Sequence, residues 1–511
     1  MDDKIIISHR GALTKKYGSQ GISRIRSAIS DFIAADSARG VKTGLVFLDD
    51  NTAMKKFGAK AVDNAMDVRG VKAAIDKVFA SQQPDYLMIL GAPDVVPHQD
   101  LDNPAYRMDG DDDKQAPGDL PYACDTPYSR DPAQFVGPTR VVGRLPDLTG
   151  AKEPSYLLSL LKSVATWRSR SAQDYAAYFG LSASPWKGST RLSLDNVFGN
   201  DAKLLLAPPK GPKYPGGQLR ARMHFINCHG SPAAPEFYGQ RGNQYPKSLT
   251  TAATTGSISN GTVAAVECCY GAELYDSITL NIDMPICQSY LRQGTYGYFG
   301  STTIAYGPAD ENGAADLICQ YTLLNVLGGA SIGRSVLMAR QQFVEHNAQM
   351  DPIDLKTLAQ FCLYGDPSVH PVIAPVPAKM VTDVEAADAN RFFRSERRAK
   401  LKLQGNFLKQ TKPTASKRRP AVKMSKAMKK ALANIARQGG LPPDEKFVAF
   451  GVKGAKTTKG GSAKTATAPS RYHLAIARPR GKTSKTIQLG IAVIAKEVQG
   501  RIVGYRVYQQ R

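Results

Sequence analysis

Gly261-Thr262-Val263-Ala264-Ala265-Val266-Glu267-Cys268-Cys269-Tyr270-Gly271 is an apolar run that ends on an acid, two cysteines and a glycine. A short continuous run of small and β-branched residues between glycines reads as a strand buried on both faces, the kind found in parallel sheets. A second stretch has the same grammar. Met223-His224-Phe225-Ile226-Asn227-Cys228-His229-Gly230-Ser231-Pro232 is an apolar strand that ends in His-Gly and breaks into a Ser-Pro loop. In open α/β sheets, sites gather beyond the carboxyl ends of the strands. If these two strands are neighbours, their ends bring an imidazole beside a thiol.

The same pattern extends in both directions. Strand candidates are Lys4–Ser8, Thr43–Leu48, Tyr86–Leu90, Arg140–Gly143, Ala176–Leu181, Lys203–Leu206, His224–Asn227, Thr262–Cys268 and Gly297–Ile304. Helical spacing separates them, as in Ile22-Ile25-Ile29-Phe32-Ile33, Tyr156-Leu157-Leu160-Leu161-Val164 and Leu317-Tyr321-Leu324. Alternating strands and helices predict an α/β fold with mostly parallel sheets flanked by helices. Nine strands are many for one compact sheet, so two tandem units are expected, 1–150 and 151–377, with the break near Gly150.

The Pro-rich stretch Pro371–Pro377 closes this region. Residues 378–445 read as a basic linker. Within it Arg391–Lys430, including Lys417-Arg418-Arg419-Pro420, should be largely disordered or a solvated helix. Lys446–Val452, Tyr472–Ala477, Ile487–Ala495 and Ile502–Tyr508 alternate like strands of a small β module spanning 446–511, with a Gly/Lys/Thr/Ser linker at Lys453–Ser470.

Charge divides along the same line. The 511 residues carry a net charge of +23, and residues 378–511 hold 31 Lys and Arg against 7 Asp and Glu. That leaves 36 basic and 37 acidic residues for positions 1–377. A basic tail of this kind suits nucleic acid or another polyanion, through residues 391–430. No apolar run approaches the ~20 residues of a membrane span, and Met1-Asp2-Asp3 is not a signal-peptide start. A cytoplasmic protein is expected. Seven cysteines, an odd number in a chain this long, are no disulfide framework and should be free.

Only Cys268 and Cys269 have a chemical context. A thiolate is a nucleophile, and a nearby imidazole makes it available at neutral pH. His229 is the candidate base. Gly230 lacks a side chain, so its N–H can approach a substrate carbonyl and, with the nucleophile's own N–H, stabilise an oxyanion. No third catalytic residue is evident, so a dyad is expected. Neither a cofactor motif nor zinc spacing around the cysteines is present. Asp109-Gly110-Asp111-Asp112-Asp113 lacks the spacing of a calcium loop and reads as a solvated acidic loop. His9, His98, His224, His346, His370 and His473 are expected to be structural.

Glu267-Cys268-Cys269-Tyr270-Gly271 resembles the caspase pattern Gln-Ala-Cys-x-Gly, whose histidine lies about 50 residues upstream. Legumain-like and metacaspase-like enzymes also carry an acid two residues before the nucleophile, as Glu267 would be for Cys269. The wider chain is similar to the gingipain-type cysteine peptidases over roughly residues 1–373. The similarity rests on His229-Gly230-Ser231, Tyr86-Leu87-Met88-Ile89-Leu90-Gly91 with Val95-Val96-Pro97, Cys124-Asp125-Thr126-Pro127-Tyr128, Val142-Gly143-Arg144-Leu145-Pro146 and Leu363-Tyr364-Gly365-Asp366-Pro367-Ser368. The gingipain register, Cys-Val-Asn-Gly, would place the nucleophile at Cys268. The caspase register selects Cys269, with Val266 as the last bulky strand residue three before it, and is preferred.

The resemblance implies a cysteine endopeptidase acting on protein substrates through an acyl-thioester. In the caspase register Glu267 lies beside the P1 pocket and would favour Lys or Arg there. Asp310 and Glu311, after the next strand, could add to the same field. Self-cleavage within the basic linker is a corollary. The alternative is an inactive caspase-like adaptor whose basic tail binds nucleic acid, though an intact His-Gly with Glu-Cys-Cys-Tyr-Gly speaks for activity.

Overall fold

A computed structural model describes residues 2–107, 110–373, 383–418, 424–442, 444–453, 470–478 and 489–511. Its strands in the first part of the chain are β1 (Lys4–Ser8), β2 (Thr43–Phe47), β3 (Tyr86–Leu90), β4 (Val142–Leu145), β5 (Tyr178–Ala183), β6 (Leu204–Ala207) and β7 (Met223–Asn227). They continue as β8 (Glu236–Tyr238), β9 (Lys247–Thr250), β10 (Val263–Val266), β11 (Gly297–Ser301), β12 (Tyr306–Gly307) and β13 (Phe361–Tyr364). The C-terminal region adds β14 (Thr414–Arg418), β15 (Val448–Lys453), β16 (Ser470–Ala477), β17 (Ile491–Val498) and β18 (Arg501–Gln510).

One ten-stranded sheet runs in the order β2-β1-β3-β4-β13-β11-β10-β7-β5-β6. All pairings are parallel except β11 with β13. The sheet is therefore two parallel five-stranded halves joined back to back. The nine strands read from the sequence are all present, and β13 is the one that reading missed. It is the last strand of the second stretch of chain, yet it completes the sheet half built from the first. The two expected units thus share one sheet rather than forming two.

Alternation along β7 and β10 divides the core. Ile226, Ala264, Val266 and Cys268 belong to one buried layer, with Leu160, Tyr290 and Tyr298. Phe225, Val263, Ala265 and Cys269 belong to the other, with Ile318, Leu323 and Phe343. This is the pleat expressed as two faces. Helices cover both, including Arg10–Ala38, Ser155–Ala165, Ala315–Leu327 and Ile332–His346. Buried Lys4 fastens β13 into the half built from the first stretch of chain, reaching Asp36 on the first helix and Asp366 just after β13, at 2.5 and 2.9 Å.

The region after 377 differs from its sequence reading. Residues 383–411 form a helix, one of the two forms expected of the basic linker, though a packed rather than a solvated one. Leu408 is buried in the same layer as Cys269, while Arg398 and Lys409 pair with Asp85 and Asp125. A six-stranded antiparallel sheet, β12-β18-β17-β16-β15-β14, then follows. It draws on residues on both sides of the expected boundary at 446, since β14 starts at Thr414 and β12 lies back at Tyr306. Phe450, Leu474, Ile476, Ile494 and Tyr508 join the same buried layer as the large sheet. The linker placed at 453–470 falls mostly outside the described residues. Among the described residues, no helix is long and apolar enough to cross a membrane.

Candidate active site

β7 and β10 are parallel neighbours, pairing Val263 with Met223 and Val266 with Ile226. Adjacency puts the two strand ends side by side, and the site is built there. A Cβ on Gly230 would lie 1.7 Å from the carbonyl oxygen of Cys269, so only glycine allows the two loops this approach. Tyr270, directly after Cys269, has φ +55°, a left-handed conformation that costs about 1 kcal/mol or more for a non-glycine residue. It is held there by its hydroxyl on Asp113 and its N–H on Thr303.

What fills the cleft is β18 together with Arg511. β18 pairs antiparallel with β12, Gln510 opposite Tyr306 and Gln509 opposite Gly307. Arg511 continues that strand, donating its N–H to Ala305 at 3.0 Å. Its carbonyl oxygen accepts from the N–H groups of Gly230 and Cys269, at 3.4 and 3.3 Å. Two backbone donors converging on one carbonyl oxygen are the arrangement that stabilises a tetrahedral oxyanion.

The Arg511 side chain is wholly buried. Its Nη2 bonds both Asp316 oxygens at 3.1 Å and the Pro308 carbonyl at 2.7 Å, with Ser189 Oγ at 3.4 Å. Nε lies 3.7 Å from Glu267, and the guanidinium stacks over the Trp186 ring, 4.5 Å away. A Cβ on Gly307 would strike the Arg511 guanidinium and Asp316. Burial and the neighbouring Asp316 push the Glu267 carboxyl well up. Burial raises Asp316 too, against the pull of Arg511. The pair therefore takes up a proton readily when no cation faces it.

His229 sits between the rings of Trp186 and Tyr245, at 4.3 and 5.3 Å between centroids. Its Nε2 meets Gln240 Oε1 at 2.8 Å. The amide orientation is set by Gln240 Nε2 donating to the Gly242 carbonyl, so Nε2 carries the proton and Nδ1 is the basic nitrogen. Buried Nδ1 has no hydrogen-bond partner among the described residues. Burial lowers His229 to about 4 and pushes the Cys269 thiol up to about 12. This is the reverse of the thiolate expected beside an imidazole. With the cleft filled no water reaches either group, and both are held neutral.

Gly230, Glu267 and Cys269 all meet Arg511, and His229 precedes Gly230 on the facing loop. Cys268 points the other way. Its sulfur accepts from the Cys228 N–H at 3.4 Å within the opposite core layer. Cys269 Sγ instead faces the cleft wall, accepting from the Ala305 N–H at 3.2 Å. Asp310 and Glu311 are exposed, Asp310 lying against Gly188, the residue before Ser189. They were expected there because they follow β11, but the chain carries them past the pocket rim before helix Ala315–Leu327 turns Asp316 inward. Asp316, Trp186, Gln240 and Ala305 were missed. None lies in a motif, and each reaches the site only through the packing of its own element.

The acidic loop is solvated only in part: Asp112 is exposed, and Asp109 lies outside the described residues. Asp111 is buried against Lys356 and the Tyr306 hydroxyl, and Asp113 receives the Ile304 N–H and the Tyr270 hydroxyl. The loop braces the cleft wall. His98, Asp119 and Cys362 cluster closely enough to suggest a metal site, but both Asp119 oxygens are taken by Arg144. A cation there would face a guanidinium.

No family model and no curated protein matches the chain. A solved structure titled "Structure of Protease" is similar over 99% of this chain and 97% of that one, at 12% identity and a TM-score of 0.48. So distant a likeness leaves the function to be argued from the site.

Proposed function

We propose that this chain is a cysteine endopeptidase that cleaves after arginine, with Cys269 as nucleophile and His229 as base. One observation carries the reading. Arg511 lies as the acyl half of a cut peptide would, its carbonyl oxygen on the Gly230 and Cys269 N–H groups and its side chain in a pocket of opposite charge. The resemblance to caspase and gingipain-type peptidases points the same way.

With a substrate carbonyl where that of Arg511 lies, His229 Nδ1 takes the Cys269 proton and the thiolate attacks the carbonyl carbon. The oxyanion is held by the two N–H groups, and the imidazolium returns its proton to the leaving amine. Water, deprotonated by His229, then hydrolyses the thioester, releasing a carboxylate and regenerating the thiol. Gln240 engages Nε2 and so leaves Nδ1 as the nitrogen that can take a proton. Asp316 takes a bonding guanidinium nitrogen through both oxygens, while Glu267 adds charge at longer range. The guanidinium plane stacked on Trp186 favours Arg over Lys.

A peptide-library cleavage profile tests this, run on the wild-type chain, Cys269→Ala, and Arg511→Ala, in which the pocket is vacated. Cuts after arginine that vanish in Cys269→Ala are expected. Cuts after Asp, Asn or apolar residues, or cuts that survive Cys269→Ala, overturn it.

A further inference from the structure

The mode of cleft occupation has a regulatory meaning beyond specificity. β18 is not a tail lying by chance near the site. Its register against β17 runs from Val498–Arg501 to Ile491–Gln509, so the strand is held along its length by the C-terminal sheet. Its far end then switches partners to β12 and the cleft wall. Three successive side chains are individually received. The Gln509 Oε1 accepts from the Trp186 indole at 2.7 Å. The Gln510 amide donates to the Gly110 carbonyl at 3.3 Å and the Tyr306 hydroxyl at 3.0 Å. Arg511 fills the acidic pocket. The C-terminal sheet is itself anchored on the catalytic region, through Arg107 with Glu445 and Arg478 with Asp112.

We propose that residues 501–511 are a cis-acting, substrate-like inhibitor that places Gln509, Gln510 and Arg511 in the P3, P2 and P1 subsites and keeps the peptidase latent until the strand is displaced. This rests on the cysteine-peptidase reading of the same site. The strand competes with every external substrate, and tethering gives it an effective concentration of roughly millimolar or more. A substrate present at tens of micromolar is then outcompeted by about a hundredfold. The residues in the cleft also define the sequence that free substrates should copy, glutamine at P3 and P2 followed by arginine. The gate is the strand end alone, because the pairs with β17 up to Ala492–Tyr508 can persist while Gln509–Arg511 swing out, giving up the Ile491–Gln509 pair and the Gln510 N–H bond to Gly490.

Arg511→Glu tests the proposal by placing a third carboxylate against Glu267 and Asp316, and Arg511→Ala does so without adding charge. Each full-length variant is assayed beside wild type on a Gln-Gln-Arg aminomethylcoumarin amide, with thermal melting as the check on folding. Cys269 labelling by an arginyl acyloxymethyl ketone is followed by peptide mapping. At least about a tenfold rise in kcat/KM is expected in both variants. Labelling should become faster, and the free peptide Tyr-Gln-Gln-Arg should inhibit the variants competitively but not slow wild type further. Equal kcat/KM and equal labelling in all three chains overturn the latch while leaving the peptidase reading intact. Absence of both cleavage and Cys269 labelling in folded variants overturns the peptidase reading, and the latch with it.

Discussion

Two buried arginines show what separates a structural ion pair from a ligand in a pocket. Arg144, on β4, donates to Asp119 through Nε at 2.8 Å and Nη2 at 2.6 Å, and to the Gly91 and Val96 carbonyls through Nη1. Every nitrogen is used, and the pair sits between β4 and the loop after β3. Arg511 is as deeply buried, yet all its bonds run through Nη2. Its Nε and Nη1 have no hydrogen-bond partner among the described residues, and the Glu267 carboxyl beside them turns to Asp316 instead. A fully saturated site is part of the fold. A half-saturated one, facing two carboxyls disposed to take up protons, is built to receive a cation and to release it.

The largest effect is expected at the chemistry beside the second arginine. In an Arg511→Ala background, Cys269→Ala and His229→Ala should each lower kcat/KM by at least ~10³-fold, measured with an arginyl amide. Cys268→Ala should stay within a few-fold of its parent, since its thiol faces the opposite core layer. A dead Cys268→Ala with an active Cys269→Ala would restore the other register.

Stability should separate the arginines next. Arg144→Met leaves Asp119 charged in a dry place and is expected to cost ~3–5 kcal/mol in urea unfolding. Arg511→Met should cost about 1 kcal/mol or less, because Glu267 and Asp316 can neutralise themselves by protonation. Similar losses in both would erase the distinction drawn here.

The partner acids follow. Asp316→Asn removes a charged hydrogen bond to the P1 side chain and should lower kcat/KM for arginine substrates by ~10–100-fold in the uncapped chain. Asp119→Asn should leave the value per folded molecule unchanged. The smallest effect is one of pH. Burial penalises thiolate, so iodoacetamide should reach Cys269 in wild type only as the pH climbs toward its raised value of about 12. Vacating the cleft in Arg511→Glu admits water, and the inflection should move down. Cys362, beside Asp119 and also raised to about 12 by burial, should not respond to that change. A Cys269 profile that stays put would mean the strand is not what shields it.

Much of the site was legible because it is carried by contiguous residues. His229-Gly230 and Glu267-Cys268-Cys269 announce themselves at strand ends, and a period of two assigns their faces once the strands are placed. What the reading lost is contributed by single residues on distant elements. Asp316 was overlooked in favour of Asp310 and Glu311, which are nearer β11 in sequence but exposed. The acidic run at 111–113 was read as solvent-facing because composition gives no sign of Lys356, 245 positions away.

The amino-acid sequence by itself determined the parallel α/β architecture, nine strands of the large sheet, an imidazole and a thiol each at a strand end, and the concentration of positive charge after residue 377. Local pattern suffices for these, since each depends on periodicity or on neighbours in the chain. Only the tertiary structure decided that β7 and β10 are neighbours, that β13 joins the two halves, that the basic C-terminal region packs on the large sheet, and that Arg511 enters the pocket of Glu267 and Asp316. Those contacts link residues far apart in the chain. They are chosen by which surfaces exclude water together and which charges are left facing each other, and no short stretch of sequence encodes that choice.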